Sequence, residues 1–269
     1  MFNKIKISNR FSLLLAFISW FIVISFLLRI IFTIWQYDEV SFNLFTVIGT
    51  FLTGLFYDIG TISFIIIPSV IYYFVFPNRW IGSWIDKILV WFFTSLTIFI
   101  LVFTFFAEIT FWDEFKTRFN FIAVDYLIYT HEVIANIQQS YPLPILVAGV
   151  LSITGLIIFT YYKLNIFKET FSTTASLKDR TIVLGTTVIT ALFFSIFITN
   201  NQAEWSSNRY NAEISKSGIY SFFAAFRNNQ MAYNEFYTSV DDKVAFDVIR
   251  NKLNDKNSKY QTEGLSIHR

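Results

Sequence analysis

The 269-residue sequence contains no cysteine, two histidines (His131 and His268) and four prolines. The absence of cysteine excludes disulfides, thiolate metal sites and cysteine nucleophiles. Two histidines so far apart disfavour a metal centre built on several imidazoles. No nucleotide-binding glycine pattern and no G-x-S-x-G motif occurs, so the sequence does not support independent nucleotide or hydrolase chemistry.

Charged residues are also scarce, at 15% of the chain, whereas an average globular protein has about 25%. Hydrophobic residues make up 54% and aromatic residues 20%, including 34 phenylalanines. The net charge of +2 provides no general attraction to nucleic acid. This composition predicts a polytopic membrane protein.

Five apolar runs have the length of about 20 residues that a helix needs to cross a bilayer. They cover residues 11–35, 59–76, 88–111, 143–162 and 181–199. The first run follows basic residues, as in a signal peptide, but it is too long and lacks a small-residue cleavage site. The predicted fold class is therefore all-α, with five transmembrane helices plus outer amphipathic helices.

A further apolar stretch, residues 42–57, leaves the number of spans open. We expect an interfacial or partly re-entrant helix there, separated from the second span by a break near Asp58 and Gly60, because glycine weakens a helix. Pro68 is expected to kink the span that follows. The alternative is that residues 42–57 cross the membrane themselves, which gives six spans.

The distribution of positive charge favours five spans. The loops on the side of the amino terminus contain nine basic residues: Lys4, Lys6, Arg10, Arg79, Lys87, Lys163, Lys168, Lys178 and Arg180. The short loops on the other side contain only Lys116 and Arg118. Because short cytoplasmic loops accumulate Lys and Arg, this predicts a cytoplasmic amino terminus and a periplasmic carboxyl terminus. If residues 42–57 formed a sixth crossing, the short loops on the two sides would contain similar numbers of basic residues, and this bias would disappear.

Two segments are predicted to lie outside the membrane. Residues 112–141 include Val124, Leu127 and Ile128 at helical spacing between polar residues, which predicts an amphipathic helix at the outer surface. Residues 200–269 are more polar than the rest, and we expect juxtamembrane helices there followed by a linker toward a further domain.

Three stretches resemble a known family: residues 51–60 (FLTGLFYDIG), 111–141 (FWDEFKTRFNFIAVDYLIYTHEVIANIQQSY) and 208–237 (NRYNAEISKSGIYSFFAAFRNNQMAYNEFY). They are similar to the amino-terminal membrane region of lipoteichoic acid synthase-like, sulfatase-fold phosphoglycerol transferases, particularly the Gram-negative members. The resemblance covers essentially the whole chain, and the middle stretch is the most specific.

The resemblance implies a membrane anchor in the bacterial inner membrane for an extracytoplasmic sulfatase-fold catalytic domain, joined in cis or supplied in trans. In the family, that domain uses a threonine nucleophile and Mn or Mg to transfer glycerol phosphate from a phosphatidylglycerol-like lipid to an envelope glycan or lipid. No such domain follows in this sequence. We therefore carry over no catalytic or metal-binding residue and expect no cofactor in this chain, which alone should be inactive.

Three ionisable residues, Arg29, Asp58 and Glu108, lie in or beside the apolar runs, where a charge costs about 2.5–3.5 kcal/mol at a helix centre. Arg29 could bind a lipid phosphate, extend to the headgroups, or pair with Asp58 or Glu108. For Asp58 we favour a capping role at the start of the second span over pairing with a cation. For Glu108 we favour an exposed acidic rim with Asp113 and Glu114.

A set of outer residues could dock an extracytoplasmic domain or, alternatively, be ordinary solvated charges and interfacial aromatics. The set comprises Asp125, Tyr126, Tyr129, His131, Glu132, Tyr141, Arg209, Glu213 and Arg227. Asp125 and His131 are six residues apart, so they do not share one helical face as metal ligands would.

A different class of function is a small stand-alone transporter or lipid-handling protein. In that case Arg29, Asp58 and Glu108 would line an internal path. Transporters usually contain internal repeats, and the sequence shows none.

Overall fold

The computed structural model describes residues 9–128, 142–227, 240–253 and 265–266. The structure is 83% helical, and none of the described residues is in a strand, which confirms the all-α class. Residues up to Arg227 form one compact unit, and the residues from Asn228 onward form a second.

Ten helices are described, and five of them are long and apolar enough to cross a membrane. The five long helices are α1 (Ser12–Trp35), α2 (Leu44–Val75), α3 (Trp84–Phe115), α5 (Leu143–Lys163) and α7 (Leu177–Phe197). The shorter ones are α4 (Phe121–Ile128), α6 (Ile166–Ser172), α8 (Arg209–Ser215), α9 (Gly218–Arg227) and, in the second unit, α10 (Asp242–Leu253). By length and composition, the chain is a multi-pass membrane protein.

Helix α2 corrects the prediction of a separate interfacial helix over residues 42–57. It is continuous for 32 residues, and the side chain of Asn43 caps its start. At 1.5 Å per residue it is about 48 Å long, more than the roughly 30 Å of a hydrocarbon core. The expected break is absent because Gly60 is a packing position: a Cβ atom there would lie 2.2 Å from the Phe194 ring. Pro68 lies within this helix, which continues on both sides of it.

Helix α3 is also longer than predicted, at 32 residues, and takes in the first part of the predicted outer segment 112–141. A short separate helix, α4, follows it, and residues 129–141 lie outside the described part of the chain. The predicted boundaries of α5 agree with the structure to within one residue.

Helix α2 is central to the first unit and packs against α1, α7, α8 and α9, while α3 packs against α5. Successive long helices run in alternating directions. The unit therefore has an amino-terminal end, where α1 begins, and an opposite end, where α7 leads into α8 and α9. Stacked rings reinforce each end: Trp91 with Phe167, and Phe32 with Trp112, at centroid distances of 3.9 and 4.3 Å.

A buried ion pair closes the amino-terminal end. Arg10 donates two hydrogen bonds to Asp86, at 3.0 and 2.9 Å, and one to the carbonyl of Thr170 at 3.0 Å. Asp86 also accepts from the Tyr72 hydroxyl at 2.6 Å and from the Gly82 N–H at 2.8 Å. This amino-terminal lock joins the start of α1 to α2, α3 and α6.

Candidate functional site: a buried charge quartet

The first half of the site is an ion pair between α1 and α2. Arg29 and Asp58 are each 1% exposed. Arg29 contacts both carboxylate oxygens of Asp58, with the Nη2–Oδ1 distance at 2.9 Å, and donates to the Gly54 carbonyl at 2.9 Å. Such bidentate pairing fixes the guanidinium plane. Gly54 is required here, because a Cβ atom at this position would lie 2.0 Å from Arg29 Nε.

The second half joins α3 to the loop that follows it. Lys116 adopts a left-handed backbone with φ of 54°, which ends α3 and turns the chain back. The turn places Arg118 against Glu108, and its Nη1 atom donates to Glu108 Oε1. Arg118 Nη2 also donates to the carbonyl of Ile214 in α8 at 3.3 Å. Both members of the pair have side chains that are 2% exposed.

These four residues, Arg29, Asp58, Glu108 and Arg118, form what we call the charge quartet. They line one cavity of about 10 Å³, so the two pairs adjoin and their formal charges cancel. Burial lowers the pKa of Arg118 below its ordinary value, and the nearby Glu108 carboxylate opposes this shift only in part.

The cavity is far too small for a lipid headgroup, since one water molecule needs roughly 10–15 Å³. Buried charges persist only when they are paired and hydrogen-bonded. The quartet is therefore a closed, neutral cluster that holds α1, α2, α3 and the loops at this end of the bundle in one arrangement.

Residues 198–227, which we call the cap segment, cover the quartet. At Gly218 a Cβ atom would lie 2.1 Å from Glu108 Oε1, so only glycine allows this approach. The preceding residue, Ser217, accepts a hydrogen bond from Thr61 in α2 at 3.0 Å. The chain after the last long helix therefore completes the wall around the buried charges.

Further hydrogen bonds fix the cap segment to the bundle. Asn211 accepts from the Ser41 N–H at 2.9 Å and donates to the Thr50 hydroxyl at 3.2 Å. The Tyr220 hydroxyl donates a hydrogen bond to the carbonyl of Ile198 at 2.7 Å. Burial raises the pKa of this hydroxyl. Both Asn211 and Ile214 are 1% exposed or less. The cap segment is thus part of the packed unit rather than a free tether.

The structure decides between the alternatives for the three ionisable residues. Arg29 pairs with Asp58, and its burial leaves no guanidinium surface for a lipid phosphate. The capping role for Asp58 is wrong, because this residue lies in the middle of α2. The exposed rim is wrong for Glu108, which is 2% exposed, although Asp113 and Glu114 are exposed as expected.

The five candidate docking residues that the structure describes have different surroundings. Glu213 is already engaged, since it accepts from the Arg118 N–H at 3.1 Å and from Lys216 at 2.7 Å. Arg209 is exposed, and Arg227 donates to the carbonyl of Ser195 at 3.2 Å.

In α4, Asp125 and Tyr126 are half-buried, and the Tyr126 ring packs edge-on against Phe115. Burial and the nearby Glu114 carboxylate raise the pKa of Tyr126. The remaining candidates lie outside the described residues: Tyr129, His131, Glu132 and Tyr141. Within the described ranges, no group of three or more His, Asp or Glu residues could hold a metal ion, so we assign no metal chemistry to this part of the chain.

Sequence reasoning did not identify Arg118, Gly54 or Gly218 as site residues. A charge count could have indicated Arg118, because two acids in apolar surroundings, Asp58 and Glu108, require two cations and Arg29 supplies only one. No local signal marks the two glycines, whose role depends on side chains that are distant in sequence.

Comparison with family models, with curated proteins and with solved structures finds no match to this chain. The resemblance to the phosphoglycerol transferases is therefore carried by the three stretches quoted above. Residues of the quartet and its cover occur in all three: Gly54 and Asp58 in the first, Arg118 in the second and Gly218 in the third.

Proposed function

We propose that this chain is the membrane-anchor domain of a lipoteichoic acid synthase-like phosphoglycerol transferase in a bacterial inner membrane. In this proposal, it holds an extracytoplasmic sulfatase-fold catalytic unit, in cis or in trans, at the surface of a phosphatidylglycerol-containing bilayer. The observation that carries the proposal is the cap segment, which leaves the last long helix and is locked onto the bundle.

An anchor that only tethers a catalytic unit does not need a segment that is fixed to the bundle in this way. An anchor that also orients the unit must limit its height and rotation above the lipid surface. Fixing a catalytic group near its substrate replaces a search in solution with a local encounter, which can contribute several kcal/mol to a rate. Burial of Asn211 and Ile214, together with the Arg118 bond to the Ile214 carbonyl, supports an orienting anchor.

The quartet argues against the transporter alternative. A transport path needs polar surface that a substrate can reach. Here the charges cancel in pairs around a cavity of about 10 Å³. Arg29, Asp58 and Glu108 accordingly support a structural role within an anchor.

The direct test begins with the source of the catalytic unit. The gene and its transcript would be sequenced beyond the Arg269 codon, and the protein would be isolated from native membranes with its partners. We expect a sulfatase-fold unit that is encoded in continuity, encoded nearby, or co-purified. Failure to find one by any of these routes would contradict the proposal.

Activity would then be measured in vesicles containing phosphatidylglycerol with a labelled acyl chain. Transfer of glycerol phosphate leaves diacylglycerol, so we expect the complete assembly to release labelled diacylglycerol and this chain alone to release none. Lipid scrambling or solute flux by this chain alone would instead support the transporter alternative.

Orientation can be separated from catalysis with a variant of the cap segment. We expect Gly218→Ala to lower transfer from bilayer phosphatidylglycerol while hydrolysis of a soluble glycerol phosphate ester by the same assembly is unchanged. Gly185→Ala is the matched control, because nothing lies within 4 Å of a Cβ atom there. Equal loss of both activities with Gly218→Ala would indicate general damage and count against an orienting role.

A further inference from the structure

A second cavity lies at the amino-terminal end of the unit, where α3 begins and where α5 passes into α6. Its volume is about 600 Å³, within the range of roughly 300–1,000 Å³ that is typical of small-molecule sites. Lys87, Lys163 and Lys168 line it, and none of the described acidic residues does. We call this cavity the lysine pocket.

The three lysines come from three different helices. Lys87 lies in the first turn of α3, Lys163 is the last residue of α5, and Lys168 is in α6. All three are exposed, and within the described part of the chain none forms an ion pair with a carboxylate. The neighbouring acid, Glu169, accepts a hydrogen bond from Ser12 at 3.0 Å. The pocket therefore has an excess of positive charge.

The floor of the pocket is apolar and well packed. Trp91 of α3 and Phe167 of α6 stack with ring planes 8° apart, and Phe167 is 3% exposed. The backbone also shapes the pocket: Asn165 turns α5 into α6 with φ of 56°, and Gly82 has φ of +75°. A Cβ atom on Gly82 would lie 2.9 Å from the Phe171 carbonyl, so this wall depends on glycine.

A cationic rim above an aromatic floor, at the end of membrane-crossing helices, matches a ligand with a phosphate group beside an acyl region. Basic pockets between transmembrane helices bind the headgroups of anionic lipids in this manner. Lysine binds phosphate as a point charge with three donors, so three lysines can surround one phosphodiester.

We propose that the lysine pocket binds the phosphodiester headgroup of an anionic phospholipid from the adjoining leaflet. This site is at the other end of the bundle from the charge quartet and the cap segment. It does not depend on the proposed catalytic partner, since the full chain alone carries every residue that forms it.

Binding would be measured with the purified full chain by native mass spectrometry, titrating phosphatidylglycerol, cardiolipin or phosphatidylcholine. We expect both anionic lipids to bind more tightly than phosphatidylcholine. Each lysine should contribute about fivefold to the affinity, through a charge-assisted hydrogen bond to the phosphodiester. The double variant Lys163→Gln/Lys168→Gln should thus bind anionic lipid about 25-fold more weakly.

The matched control is Arg79→Gln/Lys178→Gln, which removes two exposed charges from the same end of the bundle but outside the pocket. We expect less than about a twofold loss for this control, since surface charge acts weakly through salt. Equal losses in both double variants would indicate general surface attraction and overturn the proposal. Unchanged binding in Lys163→Gln/Lys168→Gln would also overturn it.

Two further arms complete the test. Lys163→Arg/Lys168→Arg keeps the charges and should keep tight binding, and all variants should unfold at the wild-type temperature because the lysines are exposed. Soluble glycerophosphoglycerol carries the same headgroup without acyl chains and should bind much more weakly than phosphatidylglycerol. If it binds as tightly as the lipid, the ligand is a soluble phosphate compound and the lipid assignment fails.

Discussion

The two ends of the bundle contain the same chemistry, buried arginine with buried carboxylate, in different settings. At the amino-terminal end, Asp86 accepts four hydrogen bonds, two of them from the neutral donors Tyr72 and Gly82. In the quartet, Nε of Arg29 and Nε of Arg118 have no hydrogen-bond partner among the described residues. At the first site, hydrogen-bond donors surround the carboxylate of Asp86. The second site depends on the balance of four charges and on the close approach of the backbone at Gly54 and Gly218 to the charged side chains. We therefore expect the two ends to respond differently to substitution.

The largest expected effect comes from removing one cation of the quartet. Arg118→Ala leaves Glu108 buried without its counterion and removes the bond to the Ile214 carbonyl. Breaking a buried pair in this way costs about 3–5 kcal/mol. Unfolding of the purified protein in mixed micelles would measure the loss, and hydrogen exchange should show faster opening of α8 and α9.

The control is the double variant Glu108→Ala/Arg118→Ala, which removes both charges together. We expect it to be less destabilised than the sum of the two single variants, by a coupling of about 0.5–3 kcal/mol. Additive losses would show that the pair does not interact and would contradict the quartet.

At the amino-terminal lock, Asp86→Asn keeps an oxygen that can accept hydrogen bonds but removes the negative charge beside Arg10. We expect a loss of about 3 kcal/mol, at the lower end of the range for broken buried pairs. Hydrogen exchange should increase at the start of α1 and in α6, while α8 and α9 stay protected. A variant that instead loosened the opposite end would show that the two ends are not independent.

Gly54 and Gly218 sharpen the comparison because both lie directly against side chains of the quartet. Gly54→Ala and Gly218→Ala each place a methyl group within 2.1 Å of a quartet side chain, and such overpacking costs about 1–3 kcal/mol. Gly155→Ala and Gly185→Ala, with nothing within 4 Å, should be neutral or more stable by about 0.5–1 kcal/mol. The same unfolding measurement distinguishes the two groups, and a similar outcome for all four would refute the requirement.

The smallest effect is expected at an exposed pair. Lys116 and Asp113 lie 3.5 Å apart with side chains 37% and 47% exposed. Surface pairs contribute about 0–1 kcal/mol, so Lys116→Gln should change the free energy of unfolding by less than about 1 kcal/mol. A loss as large as that of Arg118→Ala would mean that the left-handed turn at residue 116, rather than the charge, requires lysine.

The five long helices could be predicted from the sequence because apolar length is a local property. The full extent of α2 and α3 could not, because packing decides whether a helix continues through residues such as Gly60. For the site, Arg29, Asp58 and Glu108 were found as charges in or beside apolar runs. The Arg29–Asp58 pair was one of the alternatives that the sequence left open. The Glu108–Arg118 pair was not predicted, since Arg118 lies outside the runs and reaches Glu108 only through the backbone turn that ends α3.

The order in which the chain is made gives the cap segment a further role. Ile214 follows Arg118 by 96 residues, and a ribosome adds roughly 5–20 residues each second. The backbone that covers Glu108 and Arg118 is therefore synthesised on the order of 5–20 s after Arg118 itself. During that interval α5 and α7 are still being inserted. Closure of the quartet by Gly218 is then a late step in biogenesis, which follows the synthesis of every long helix.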